Sequence, residues 1–328
     1  MKILVTGAAG YIGSVVTERL IADGHAVTAL DNLQHGHREA VHESATFVAG
    51  DLLDREWLRS VLEDERYDAV VHLAAEALID ESVRNPGRFF QVNLTGGLNL
   101  LDAMAAGGTR RLVFSSTAAV YGEPDALPIR EDAAKKPVNA YGESKLAFER
   151  ALPWYARAHG LAHVSLRYFN ACGATDRCGE RHEPETHLIP ILLDVALGIR
   201  PSIQLFGTDY DTPDGTCVRD YIHVSDVAEA HVRCLAAMED LGAEAFNLGN
   251  GNGYSNREVI DAVQRVTRRQ ITVVPADRRP GDPARLVASA DRIGRRLGWR
   301  PAISDLDAMI ESAWRWHQRQ AARSPQLS

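Results

Sequence analysis

Unbroken apolar runs and helix-length segments alternate through the first half of the chain. The runs KILVTG (2–7), AVTALD (26–31), ATFVAGD (45–51), DAVVHLAA (68–75), RRLVFSS (110–116) and HVSLRYFN (163–170) are rich in Val, Leu and Ile. Runs of this kind suit strands buried on both faces, as in a parallel sheet. Segments near 12–23, 54–65, 86–106 and 141–159 carry helical spacing between them. The order predicts an α/β fold, a doubly wound parallel sheet with helices on both faces.

The rhythm changes after residue 170. NACGATDRCGERHEPETH (170–187) is polar, and FGTDYDTPDGTCVRD (206–220) is dense in turn residues. Loops of that length in a compact domain are usually functional or disordered. Helical patterns return at 188–198, 225–240, 255–268 and 305–319, and the tail ARSPQLS is expected to fray. The predicted organisation is a dinucleotide-binding domain over 1–169, to which the chain returns around 216–248. A smaller, discontinuous substrate-binding domain occupies 170–328.

Charge and composition narrow the partners. With 36 Lys and Arg against 44 Asp and Glu, the net charge is −8, which gives no bulk attraction for nucleic acid or an anionic membrane. No stretch approaches the roughly 18 apolar residues that a membrane span needs. The start, MKILVTGAAG, reads as a strand rather than a signal peptide. Cys172, Cys178, Cys217 and Cys234 follow no metal or redox spacing, so free thiols in a reducing cytoplasm are expected, and no metal site.

The first chemistry lies in VTGAAGYIGS. Gly7, Gly10 and Gly13 follow the first strand and open the first helix, a variant of the Rossmann dinucleotide fingerprint. The first glycine allows the turn, the second admits a pyrophosphate to the backbone N–H groups, and the third lets helix and strand pack closely. Asp31 ends the second strand. A carboxylate there accepts hydrogen bonds from a ribose diol and repels a 2′-phosphate, which favours NAD over NADP. Arg38, a few residues on, leans towards NADP.

Two tyrosines compete for a catalytic role, Tyr121 in FSSTAAVYGEP (114–124) and Tyr141 in NAYGESK (139–145). Tyr141 and Lys145 lie one helical turn apart on one face. A nearby ammonium favours the phenolate and brings a tyrosine towards use as a general base. Tyr121 has no lysine at that spacing, so Tyr141 is the expected base and Tyr121 packs or lines the pocket. FSST ends the fifth strand at the edge where open α/β sheets bind ligands, and Thr117 or a serine there can hydrogen-bond a substrate hydroxyl.

Together these motifs resemble the extended short-chain dehydrogenases/reductases, and among them the UDP-glucose (UDP-galactose) 4-epimerases. VTGAAGYIGS, LDNL, FSSTAAVYG, YGESK and LRYFNACGA match in order. More specific are FGTDYDTPDGTCVRDYIHVSDVAEAH (206–231), FNLGNG (246–251) and RRPGDPA (278–284). The resemblance implies a redox-neutral cycle. Tightly held NAD⁺ takes hydride from sugar C4 while tyrosinate takes the O4 proton, and the 4-keto sugar turns over and receives the hydride on its other face.

By the same resemblance Tyr141 is the base, Lys145 lowers its pKa and holds the nicotinamide ribose, and Thr117 hydrogen-bonds O4. The glycine loop with Tyr11 and Ile12 would hold NAD at one end, with Asp31, Asn32, Asp51 and Leu52 around the adenosine. Leu73, Ala74, Ala75, Asn93, Ser115 and Tyr168 would complete the cofactor wall. Substrate would meet Asn170, His187, Leu188, Gln204 and Phe206, while Arg219, Arg279 and Asp282 hold the uridine diphosphate. Arginine forks suit phosphate oxygens. The resemblance also implies a homodimer, through the helices around 90–106 and 141–158.

Three positions refine the reading. Related dehydratases carry an acidic pair after the threonine, where this chain has Ala118-Ala119, and dehydration needs an acid there. Glu76 and Ala77 depart from the usual residues; Glu76 either points to solvent or alters what approaches the sugar, where a carboxylate near the hexose would disfavour an anionic uronate by like-charge repulsion. Leu286 falls where relatives carry either a bulky tyrosine or a small residue that admits N-acetylated sugars.

Overall fold

The computed structural model describes residues 1–279 and 282–323. The tail beyond Arg323, and with it most of the segment expected to fray, lies outside the described residues. The strands in chain order are β1 Lys2–Thr6, β2 Ala26–Asp31, β3 Thr46–Ala49, β4 Ala69–His72, β5 Arg111–Thr117, β6 Ala162–Tyr168 and β7 Asn170–Cys172. They continue as β8 Ile203–Phe206, β9 Val218–His223, β10 Ala243–Leu248, β11 Gly253–Ser255, β12 Val273–Ala276 and β13 Arg285–Leu286.

Seven of these form the main sheet in the order β10-β6-β5-β4-β1-β2-β3. Every neighbouring pair is parallel. That explains the unbroken apolar runs. Ile3 to Val5, Ala69 to Val71 and Leu112 to Phe114 are all fully buried, because helices cover both faces. The order reverses between β1 and β4, and the open carboxyl ends of those strands make a crevice. The first six strands match the apolar runs read from the sequence.

β10 comes from much further along the chain and pairs in register with β6, from Ala243 opposite His163 to Leu248 opposite Tyr168. The helix Val224–Ala236 returns with it and packs on the helix Tyr11–Ala22, where Arg19 and Glu229 pair at 2.9 Å. β9, by contrast, lies in a second sheet with β11, β13 and β7. Asp220 on β9 organises that sheet, because its buried carboxylate accepts from the N–H groups of Asn250 (2.7 Å), Gly251 (3.0 Å) and Ala288 (3.0 Å). Helices Leu188–Ala196, Asn256–Thr267 and Leu306–Arg323 pack beside it around Leu192, Leu193, Val263, Met309 and Ile310. A capping box starts the second of these, with Ser255 and Glu258 exchanging side-chain and backbone bonds.

Two local differences from the sequence reading stand out. The segment 86–106 is not one α-helix. A short helix Pro86–Phe89 runs through a π-helical stretch Phe90–Gly96 into the helix Gly97–Gly107. Wider turns of this kind occur often at functional sites, and this one carries Asn93. The short strands β7 to β13 escaped the sequence reading, because two to six residues offer too little pattern to distinguish strand from loop.

Candidate active site

The glycine loop is built from steric necessity. Gly7 has φ +72°, and a side chain there would place Cβ 2.5 Å from the Ala74 nitrogen at the end of β4. A Cβ on Gly13 would sit 2.0 Å from the Gly7 carbonyl oxygen. The loop, the first helix turn and the end of β4 therefore touch with no side chain between them. Gly10 caps the helix Tyr11–Ala22 without a side-chain bond, so the first N–H groups of that helix are left for a ligand. Asp31 is buried at the end of β2, accepting from Ala9 N–H (2.9 Å) and Leu33 N–H (2.8 Å). Asn32 donates to Asp51 (3.0 Å). These features fit a dinucleotide: a close backbone approach for a pyrophosphate, and a carboxylate with spare lone pairs for a diol. Arg38 stacks 4.4 Å over the Phe47 ring and does not line the crevice.

The crevice opens into one cavity of about 1260 Å³ that continues across to the second sheet. That exceeds a typical single-ligand pocket, and leaves room for a dinucleotide and a second nucleotide side by side. Sixteen expected cofactor residues line it: Gly7, Gly10, Tyr11, Ile12, Gly13, Asp31, Asn32, Asp51, Leu52, Leu73, Ala74, Ala75, Ser115, Tyr141, Lys145 and Tyr168. Tyr11 spends its hydroxyl on the Gly173 carbonyl (2.7 Å), and the Tyr168 hydroxyl lies 2.7 Å from His231 Nε2. Both offer rings rather than hydroxyls to a ligand.

Asn93 is placed differently. It is buried behind the lining, its Oδ1 accepting from Glu76 N–H (2.8 Å) and its Nδ2 donating to the Glu76 carbonyl (3.0 Å) and Ser144 Oγ (3.0 Å). It shapes the turn after β4 and ties it to the helix Ala140–His159.

That helix carries Tyr141, the expected base, and Lys145. Asn139 caps it, accepting from Gly142 N–H (2.8 Å), which fixes the first turn and so Tyr141. Lys145 is buried and donates to the Ser115 carbonyl (2.9 Å). Thr117, at the end of β5, lies near enough to the Tyr141 phenol to favour its ionised form, and its Oγ1 accepts from Ala119 N–H (3.1 Å). Burial pushes the phenol up, with the Thr117 hydroxyl opposing it. Burial likewise pushes the Lys145 ammonium down to about 7, against the pull of Glu149. Burial thus opposes the lowering of the Tyr141 pKa that is expected from Lys145. The low-dielectric pocket penalises phenolate and ammonium alike.

Tyr121 is structural. Its hydroxyl donates to Asn247 Oδ1 (2.6 Å) and accepts from Arg167 (2.8 Å), and it lies outside the cavity lining.

The far bay gathers the remaining expected residues. Asn170, His187, Leu188, Gln204, Phe206, Arg219, Arg279, Asp282 and Leu286 all line it. Arg219 pairs with Asp282 and donates to the Val218 carbonyl (2.8 Å). Arg279 lies 4.1 Å over the Phe206 ring. Glu76 is not free. Its carboxylate accepts from Arg88 (2.9 Å) and lies 3.1 Å from His35 Nε2, so a cation meets the charge invoked against uronates. Arg88, His35, Glu180, His182 and Glu185 also line the cavity and were not read as site residues from the sequence. For the last three, the alternate spacing of Glu and His was an available signal.

Fold and site together define a Rossmann-type dinucleotide protein with a second, arginine-bearing ligand bay. Residues 3–249 match the family model for the NAD dependent epimerase/dehydratase family, and the chain belongs to that family. It is 47% identical over 322 residues to the UDP-glucose 4-epimerase of Lacticaseibacillus casei, covering 97% of each chain. It is 49% identical over 314 residues to the UDP-glucose 4-epimerase of Corynebacterium glutamicum, covering 96% of this chain and 95% of that one. The crystal structure of the Bifidobacterium longum UDP-glucose 4-epimerase in complex with NAD⁺ and UDP superposes with a TM-score of 0.94 at 35% identity, over 98% of this chain and 99% of that one.

Proposed function

We propose that this chain is an NAD-dependent isomerase that interconverts UDP-galactose and UDP-glucose by inverting C4. The observation that carries this is the placement of Thr117, Tyr141 and Lys145 in one cavity between the dinucleotide crevice and the bay of Arg219 and Arg279. NAD, which the Gly7–Gly13 loop and Asp31 would hold, would supply reversible hydride exchange at C4, through a transient 4-keto sugar.

The chain's own residues do the rest. Tyr141 takes the O4 proton and later gives it back, so the cycle needs no external acid, base or oxidant. Thr117 hydrogen-bonds O4 and keeps it within reach of the phenol. Lys145 holds the nicotinamide ribose and, when charged, favours the phenolate. Arg219 and Arg279 hold the diphosphate, leaving the sugar free to turn. Asp31 receives the adenosine ribose. We assign residues 1–169 and the returning segment Val224–Leu248 to the cofactor domain, and the remainder of 170–328, β9 included, to the substrate domain.

We further propose a cytoplasmic homodimer with no nucleic-acid or membrane partner. Supporting it are Trp154, 66% exposed on the helix Ala140–His159, and four buried free cysteines. No helix among the described residues is long and apolar enough to cross a membrane.

The test is direct. Purified protein mixed with UDP-galactose and no added cofactor is expected to produce UDP-glucose, followed by the anomeric proton signals in NMR. No conversion, even after NAD is added, would overturn the hexose reading.

A second substrate has one observation in its favour. Leu286 lines the bay, where it packs against the cluster of Ala118, Tyr121 and Phe169. Leucine leaves more room than tyrosine for an N-acetyl group. Leu286→Tyr is expected to lower turnover of UDP-N-acetylglucosamine about tenfold or more relative to UDP-glucose, a discrimination typical of one misfitted pocket group. An unchanged ratio of kcat/KM values would remove Leu286 as the gate.

A further inference from the structure

The polar segment between β7 and the helix Leu188–Ala196 holds a group of side chains, His187 of the substrate bay among them, to which the proton and hydride transfers assign no step. Glu180, His182, Glu185 and His187 come from eight consecutive residues in the order Glu-x-His-x-x-Glu-x-His. Each offers one donor atom, and the four donor atoms all lie within 4.8 Å of one another. His187 Nδ1 is 2.9 Å from Glu180 Oε1 and 2.8 Å from Glu185 Oε1. His182 Nδ1 is 3.0 Å from the same Glu180 oxygen. We propose that these four residues form a zinc site that fixes the shape of this wall of the cavity.

The donor chemistry selects the ion. Two imidazoles and two carboxylates suit Zn²⁺, whereas Mg²⁺ and Ca²⁺ prefer all-oxygen shells. Bonds of about 2.0–2.2 Å in a tetrahedron separate the donors by roughly 3.3–3.6 Å. The closest pairs need open by only a fraction of an ångström and the widest close by about one. With neutral imidazoles the two carboxylates carry the two negative charges that a divalent cation balances.

The scaffold is also prepared for it. The Glu185 carboxylate is oriented by the N–H groups of Thr186 (2.7 Å) and His187 (2.8 Å), the kind of outer contact that aligns metal ligands. The Arg181 carbonyl lies 2.8 Å from His37 Nε2, and the Glu180 carbonyl accepts from Trp316 Nε1 (3.4 Å). Gly179 lies so close under Trp316 that a Cβ would be 2.5 Å from the indole ring. The backbone around the donors is therefore held from both sides. The donors are all His and Glu, so the cysteine pattern that argued against a metal had no bearing on them.

The competing account is that protons, not a metal, hold the cluster together through imidazolium–carboxylate bonds. Metal analysis of tag-free protein, dialysed in metal-free buffer without chelator, separates the two. The expected result is about one zinc per chain. After stripping with a chelator, titration with Zn²⁺ against a chromophoric competitor should show one site. His182→Ala and Glu180→Gln should each weaken it by about 100-fold or more, given that even outer contacts cost 10–100-fold. His159→Ala, remote from the cluster, should leave it unchanged. Co²⁺ added to the stripped wild-type protein should give a tetrahedral visible spectrum, which makes the test independent of how well the variants fold. No stoichiometric zinc in the isolated protein together with no saturable binding by the stripped protein would overturn the proposal. So would zinc binding that His182→Ala leaves intact.

Discussion

Tyr141→Phe is expected to lower kcat for UDP-galactose by about 10²–10⁴-fold, the range that a positioned general acid or base supplies. The substitution removes only the hydroxyl. The ring keeps its edge contact with Phe89, at 6.4 Å between centroids, and the helix keeps its Asn139 cap. Thr117 retains its bond from Ala119 N–H. The variant should therefore melt near the parent, which circular dichroism checks, while initial rates measured by coupled assay or NMR collapse. Near-native turnover in the folded variant would overturn the assignment of Tyr141 as the base. The loss should appear in kcat more than in KM, because the proton transfer is made in the transition state while the diphosphate contacts proposed for Arg219 and Arg279 would be untouched.

Arg167→Met is expected to cause the largest loss of stability, and the reason lies behind the same helix. Arg167 on β6 pairs with Glu149 on the helix Ala140–His159 at 2.6 Å, with side chains 5% and 9% exposed. Arg167 also donates to the Tyr121 hydroxyl (2.8 Å) and the Glu131 carbonyl (3.3 Å). Burial opposes the arginine's charge, but Glu149 outweighs it and holds the guanidinium ionised. Methionine fills much of the volume yet strands the Glu149 carboxylate in the interior. Removing one partner of a buried pair costs about 3–5 kcal/mol. At about 2–4 °C per kcal/mol for a large domain, the melting temperature should fall by roughly 6–20 °C. Arg167→Met with Glu149→Leu should recover a substantial part, because two apolar residues can replace a buried pair at little cost. A single variant that melts within a degree or two of the parent would show that the pair is dispensable. Glu149 also helps keep Lys145 charged, so a change at Arg167 reaches the active site through one helical turn.

Much of this molecule is legible in its sequence, where short-range physics sets the answer. Both-face burial demands unbroken apolar strands, so β1, β2, β4, β5 and β6 could be read from their apolar runs, whereas β3, half-exposed at the sheet edge, was legible from its sequence pattern alone. The close contact of Gly7 with Ala74 leaves no room for a side chain, so the glycine spacing reports the crevice directly. A four-residue spacing on a helix puts Tyr141 and Lys145 on one face in any context.

Other features depend on what arrives from elsewhere in the chain. β10 has to come from Ala243–Leu248 to complete the sheet beside β6, and strands of two to six residues form the second sheet only because Asp220 and its neighbours meet there. Asn93 has a family match to a cofactor residue, but the π-helical stretch turns its amide to the Glu76 backbone. Glu76 looks like a free charge in sequence, and Arg88 neutralises it in space. The Lys145 and Tyr141 pKa values follow burial more than spacing.

The sequence by itself determined the parallel sheet, the dinucleotide crevice and which tyrosine shares a helical face with a lysine, because each rests on contacts within a turn or a strand. Only the tertiary structure decided which charges are paired and how far burial moves them, and brought the arginine bay to the same cavity as Tyr141. Those depend on neighbours far apart in the chain and on the low dielectric they create together.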